Sequence, residues 1–281
     1  MKSYKSYYLC LLLPLFLFSF TDGTKRKSDL EKDGLKGKVK TIHVFYFDKA
    51  DEKTLALNPL TILKKDTSKH LIINYDENGY LTQHIMSNGK ILLINRYDSL
   101  SNTVICSKYS EDDKIISLDT SLLDENGNRV EDIYKSYDTD GGLSRTSYNI
   151  DVKGNMLESD TYTNGKFAYK WTYKYDESGN RIEDDQFYLL DSFIQKWVYK
   201  YDDKRNNIEM GLYTDSLVER YEYKYNDRGN MIAESHYGPD DKLIESASYK
   251  YDFDGKGNWI RCIANGKMKR VPVTIRVIEY Y

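Results

Sequence analysis

The sequence lacks a surplus of charge of either sign. Its 41 Lys and Arg nearly balance 44 Asp and Glu, for a formal net charge of -3. This balance excludes a basic surface for nucleic acid and an acidic tail. Catalytic signatures are also missing. The four histidines, His43, His70, His84 and His236, show no metal-ligand spacing and no Cys-x-x-Cys companion. No G-x-S-x-G elbow and no phosphate-cradling glycine loop occurs. Carboxylates recur at repeat-equivalent positions (Glu131, Glu158, Glu183, Glu209), as a solvated strand face requires and a catalytic pair does not. The chain therefore reads as non-enzymatic, without cofactor or metal. Asp252-Phe-Asp254-Gly and Asp138-Thr-Asp140-Gly resemble the start of a calcium loop. Neither continues to a glutamate at the twelfth place, so a plain turn accounts for both.

Long hydrophobic runs are absent beyond the first residues. Lys2 and Lys5 precede an apolar run over 7–20, bounded by Thr-Asp-Gly. The run is shorter than the roughly 20 residues that span a bilayer, so it reads as a cleaved secretory signal. Residues 1–23 are assigned to the signal and the charged stretch 24–36 to a linker with room for a short helix. The expectation is an exported protein without a membrane span once the signal is removed. Cysteines number only three. Cys10 lies within the apolar run, preceded by Tyr8 and Leu9, a poor lipidation context. Cys106 and Cys262 occupy the same phase of distant repeats, and a bridge between them requires the array to close on itself. Two unpaired thiols are the expectation for an open one.

What the sequence has is tyrosine, 27 of them, and a repeat. YKYDESGN at 173–180 returns as YKYDDKRN at 199–206, YKYNDRGN at 223–230 and YKYDFDGKGN at 249–258. Aligned on the residue that opens the turn, the copies fall at Asp76, Asp98, Asp124, Asp151, Asp176, Asp202, Asn226 and Asp252. Asp or Asn caps such a turn with its side chain, and Gly79, Gly127, Gly154, Gly179 and Gly229 supply the positive φ that closes it. Half way along each unit lies a second turn, such as SNGK at 87–90 and TNGK at 163–166. One unit is thus a β-hairpin, and turns of the two kinds should line opposite edges.

Within a unit, Trp171, Tyr173 and Tyr175 alternate with Thr172 and Lys174, and Trp197, Tyr199 and Tyr201 with Val198 and Lys200. Period-2 alternation sends rings to one face and charges to the other. The first strand of each unit places an aliphatic (Leu157, Ile182, Ile208, Ile232) an odd number of residues before an aromatic (Tyr162, Phe187, Tyr213, Tyr237). This predicts a β-bulge between them. The fold expected is all-β: an antiparallel meander of about eight tandem hairpins in a twisted or coiled sheet. Strands over 37–75 cap its first edge, and the array proper occupies 76–281.

Tyr-Asp-x-x-Gly followed by Leu or Ile, as in YDENGYL at 75–81 and YDESGNRI at 175–182, resembles the RHS/YD-repeat family. LKGKVKTI near the start and the closing segment from YDFDGKGNW onward are similar to its small exported members from Bacteroidetes. In large members the repeats coil into a shell around a C-terminal toxin, or decorate cell-surface proteins. Eight units are too few to enclose a domain, and no cargo follows the last repeat. The function expected is a non-catalytic cell-envelope or secreted binding or structural module. Its partner would be a surface glycan or another envelope protein, with Trp171, Trp197 and Trp259 as candidate ligand rings. A component of a toxin or contact-dependent system is the alternative, and an outer-membrane β-barrel a lesser one. The barrel needs an outward apolar band, which strands such as NRIEDDQF do not suggest.

Overall fold

The computed structural model describes residues 28–59, 62–63, 70–137, 142–188, 192–266 and 272–281. The expected signal and the first linker residues, the expected turn at 138–140 and part of the last expected second turn lie outside these. Two one-turn helices, α1 (Asp29–Lys32) and α2 (Glu52–Leu55), flank β1 (Val39–Phe47). There follow β2 (Leu71–Tyr75), β3 (Leu81–Met86), β4 (Ile91–Asp98), β5 (Thr103–Tyr109), β6 (Ile115–Leu123), β7 (Arg129–Ser136), β8 (Leu143–Ile150) and β9 (Met156–Thr163). The second half holds β10 (Lys166–Tyr175), β11 (Arg181–Tyr188), β12 (Ser192–Tyr201), β13 (Asn207–Tyr213), β14 (Leu217–Tyr225), β15 (Met231–Tyr237), β16 (Leu243–Phe253), β17 (Trp259–Gly266) and β18 (Val273–Tyr280).

All pairings are antiparallel, each strand beside its sequence neighbours, and β1 pairs with both β2 and β18. The 18-stranded meander therefore closes into a barrel. This corrects the expectation of an open twisted or coiled sheet. The reason lies in β1, expected to cap a first edge. It is apolar on both faces, with only Lys40 and Tyr46 exposed. Ile42, Val44, Leu71, Tyr75 and Leu30 form one cluster, with Ile278 and Tyr280 packed on it. On the other face, Phe45, Val273, Ile275 and Val277 pack with Ile62, Leu55 and Leu57. A strand buried on both sides pairs along both edges, so β1 joins first strand to last instead of covering one of them. Cys106 and Cys262 remain free thiols even in the closed ring.

The Asp turns follow one plan. At Asp176 the backbone N–H of Gly179 donates to the Asp176 carbonyl at 3.0 Å, and Asn180 donates its N–H to Oδ1 and its Nδ2 to Oδ2, both at 2.8 Å. Gly179 holds φ +79°, a conformation that costs glycine least. The same bonds recur at Asp151–Asn155 and, with Arg205 at φ +65° in the glycine place, at Asp202–Asn206. In the last repeat the turn opens on Asp254, which accepts from the N–H of Asn258, and not on Asp252 as the alignment had it. Asp252 is the penultimate residue of β16, paired with Arg261 at 3.1 Å.

Bulges sit at both ends of the repeat strands. One register shift falls just before the Asp turn, at Lys174/Tyr175, Lys200/Tyr201 and Lys224/Tyr225. Another lies near the second turn, at Gln186/Phe187 and Leu212/Tyr213. The odd aliphatic-to-aromatic separation is absorbed there, as expected.

Candidate functional site

The ladder registers divide each strand into two faces. From β6 to β16 the buried side chains are Ser117, Ser121, Ser159, Thr161, Asp184, Tyr199, Met210, Glu234, Ala247 and Tyr249. Register places all of them on one face, with the repeat tyrosines. Crowding of this kind marks the concave side of a closed sheet, so this is the inner wall.

Here the meaning of Tyr-Lys-Tyr-Asp becomes plain. The first Tyr of each pair meets a polar group on the preceding strand. Tyr199 Oη donates to Asp184 Oδ2 at 2.6 Å, Tyr148 to Asp132 Oδ2 at 2.6 Å, and Tyr249 to Glu234 Oε1. Tyr173 and Ser159 share a bond at 2.9 Å. The second Tyr reaches a backbone carbonyl beyond the last rung of the ladder. Tyr175, Tyr201 and Tyr251 donate to the carbonyls of Met156, Arg181 and Met231, each at 2.8 Å. A carbonyl released by the bulge thus keeps a partner. Asp184 also holds both nitrogens of an Arg181 fork, and Arg181 stacks on the Tyr173 ring at 4.4 Å. The repeat-equivalent glutamates are expected on the solvated face. Glu183 and Glu209 do lie there, but Asp184 and Glu234 belong to the tyrosine face, because the ladder sets them directly opposite Tyr173 and Tyr223.

The inner wall is most elaborate at the rim formed by the Asp turns. Residues 28–36 lie across that mouth from the β2–β3 turn to the β16–β17 turn. Leu30 N–H donates to the Gly79 carbonyl at 3.0 Å, and Lys36 N–H to Asn258 Oδ1 at 2.8 Å. Asp33 accepts from the Tyr75 hydroxyl at 3.0 Å, while burial pushes its carboxyl above the ordinary value. Beneath, the guanidinium of Arg276 covers the Trp259 ring at 4.0 Å. Tyr251 lies 6.0 Å from Trp259 and 6.2 Å from Phe253, centroid to centroid.

Of the three candidate tryptophans, Trp259 belongs to this cluster. Trp171 pairs with Gln186, and Trp197 with Asp184 and Leu212, on the same wall but in other strands. The structure does not bring the three rings together. The turn residues Asp76, Gly79, Asp124, Gly127, Asp151, Gly154, Asp176, Gly179, Asp202 and Gly229 occupy the Asp-turn rim. Sequence spacing also missed a histidine pair, His43 Nδ1 and His70 Nε2, 3.1 Å apart. Among the described residues no group of three or more His, Cys, Asp or Glu side chains could hold a metal ion.

The outer wall has two sectors. Over β9–β14 it carries ion pairs: Lys170–Glu158 at 3.3 Å, Lys174–Glu183, Lys196–Glu183 at 3.8 Å and Lys200–Glu209 at 2.7 Å. Over β2–β7 the same face bears half-exposed Ile72, Ile85, Ile94, Ile105, Leu118 and Ile133. No helix among the described residues is long and apolar enough to cross a membrane.

No protein-family model matches the chain, and no curated protein does. The likeness to YD-repeat proteins thus stands on the motif alone. Among solved structures, the chain is similar to a porin-like protein from Bacteroides uniformis (TM-score 0.48, 10% identity, covering 92% of this chain and 100% of that one). A porin-like protein from Bacteroides vulgatus gives a TM-score of 0.42 at 12% identity, covering 86% and 98%. A chain of the Photorhabdus luminescens Tc holotoxin pore gives 0.28 at 14% identity, covering 74% of this chain but 14% of that one. At TM-scores below 0.5 these likenesses say nothing about what this chain does.

Proposed function

We propose that the chain is an exported β-barrel of the outer-membrane type, non-catalytic, with a polar, tyrosine-lined interior. The observation that carries this reading is closure: β1 joins β18 to β2, so an even number of antiparallel strands leaves no open edge. A closed ring is the one β architecture that satisfies every backbone group in lipid. β10, β12 and β16 run 10, 10 and 11 residues, within the roughly 9–11 residues of a membrane-crossing strand. Serine, threonine, aspartate and tyrosine face inward, and the β2–β7 sector turns isoleucine and leucine outward.

The ion-paired belt over β9–β14 favours a second reading, a closed binding or structural module that stands in the aqueous envelope. Outward Lys or Arg at a bilayer midplane costs roughly 2–4 kcal/mol each. An alkaline-carbonate wash of membranes from cells expressing the full chain separates the two. Retention in the pellet with heat-modifiable gel mobility is expected of the membrane barrel. Release of folded barrel into the wash overturns insertion and leaves the second reading.

A further inference from the structure

We propose that the inner wall at the Asp-turn mouth binds a small ring-bearing carboxylate, with the Arg276 guanidinium as anchor and the Trp259, Tyr251 and Phe253 rings as its apolar wall. The proposal holds for either placement of the barrel. Arg276 is on β18, opposite Val44 and facing inward. Its flat face lies on the indole of Trp259 at 4.0 Å. Stacking occupies the π face of a guanidinium and leaves its N–H donors free in the plane. Among the described residues no carboxylate, carbonyl or hydroxyl hydrogen-bonds those donors.

Charged groups in protein interiors are ordinarily paired, and an unpaired one is costly. The opposite charge in range is Asp33, and it is an incomplete counter-ion. Its Oδ2 accepts from Tyr75, it forms no ion pair with Arg276, and burial favours its neutral form. Arg276 keeps part of its surface exposed although it is strongly desolvated. A fork of donors without a hydrogen-bond partner among the described residues fits the two oxygens of a carboxylate. Tyr251, 6.0 Å from Trp259 and 6.2 Å from Phe253, supplies apolar ring surface beside the guanidinium, while the Phe253 face is itself covered by Arg228 at 4.4 Å.

The test is calorimetric titration of the full-length protein with sodium benzoate, and with benzamide as its uncharged match. Saturable benzoate binding, with benzamide weaker by about tenfold or more, is the expected result for a charge-assisted pair. Arg276→Gln should weaken benzoate by a similar factor, and Arg276→Lys less, because a point charge replaces the fork. Should Arg276→Gln fail to fold, the benzoate-to-benzamide ratio in the unmodified protein decides alone. Equal binding of the two probes, absence of saturable heat, or unchanged affinity in a folded Arg276→Gln protein overturns the proposal. So does inorganic sulfate bound as tightly as benzoate, since the rings would then contribute nothing.

Discussion

The walls over β2–β7 and β9–β16 are built from the same hairpin but distribute polarity differently. In β9–β16 aromatic rings fill the inner face and lysines and glutamates pair on the outer one. In β5–β7 the inner face carries Ser117, Ser121, Asp119 and Asp132 beside Val104, Lys108 and Tyr134, and Ile105, Leu118 and Ile133 stand outside. Closure forces both kinds of wall into one ring. The tyrosine sector satisfies its inward acids with hydroxyls and an arginine fork. The serine sector leaves polar atoms over: Asp119 Oδ1 and Asp132 Oδ1 are buried without a partner among the described residues. Asp132 still accepts from Tyr148 and pairs with Arg129 through its other oxygen, so the contrast is sharpest between Asp184 and Asp119.

The largest effect should come from breaking the acid that serves two partners. Asp184 is 2% exposed and receives both Arg181 and Tyr199. Asp184→Ala leaves a half-buried guanidinium and the Tyr199 hydroxyl without their acceptor and should cost about 2–4 kcal/mol of unfolding free energy. Asp119→Asn removes a charge with one orphaned oxygen and should change stability by under about 1 kcal/mol, or raise it. Denaturant titrations followed by tryptophan fluorescence compare the two. Equal losses would erase the distinction between the sectors.

Much of this was legible beforehand, for local reasons. Period-2 alternation placed Tyr173, Tyr199, Tyr223 and Tyr249 on one face without any knowledge of neighbours. Asp followed by Gly and Asn fixed the turns, because their hydrogen bonds stay within five residues. Where two aspartates competed, the wrong one was taken. Asp254 has its Asn four places on, as Asp176 does, and Asp252 does not. Closure was not legible, since Ile42 meets Ile278 across almost the whole chain and no local pattern announces a partner that distant. Arg276 was hidden for a related reason. It interrupts an apolar strand, and its surroundings come from residues 33, 75 and 259, three segments far apart in sequence.

A smaller effect isolates the second tyrosine of the repeat. Tyr201→Phe keeps the ring and removes only the bond to the Arg181 carbonyl, so a loss of about 1 kcal/mol is expected. Tyr97, its counterpart in the other sector, is 53% exposed and donates to Asn102 Oδ1 at 2.8 Å, a side chain of its own turn. Tyr97→Phe should fall within about 0.5 kcal/mol of the unmodified protein. If the two substitutions cost the same, carbonyl capping at the bulge is not what retains the second tyrosine.

The smallest predicted difference compares neighbouring turns and depends on acid. Bonds from the Asn206 side chain, outweighing slight desolvation, hold the Asp202 carboxyl below its ordinary 3.8. A carboxyl lowered by folding contributes fully above its unfolded pKa, and that contribution disappears as pH falls through the lower folded value. The next turn has Asn226 in the same place, accepting the same Asn230 N–H at 3.0 Å, and it cannot titrate. Asp202→Asn should therefore flatten the loss of stability between about pH 4 and pH 2, and Asn226→Asp should steepen it. Melting temperatures across that window measure both. Parallel curves for all three proteins would mean that the Asp turns contribute shape to the rim but no acid sensitivity.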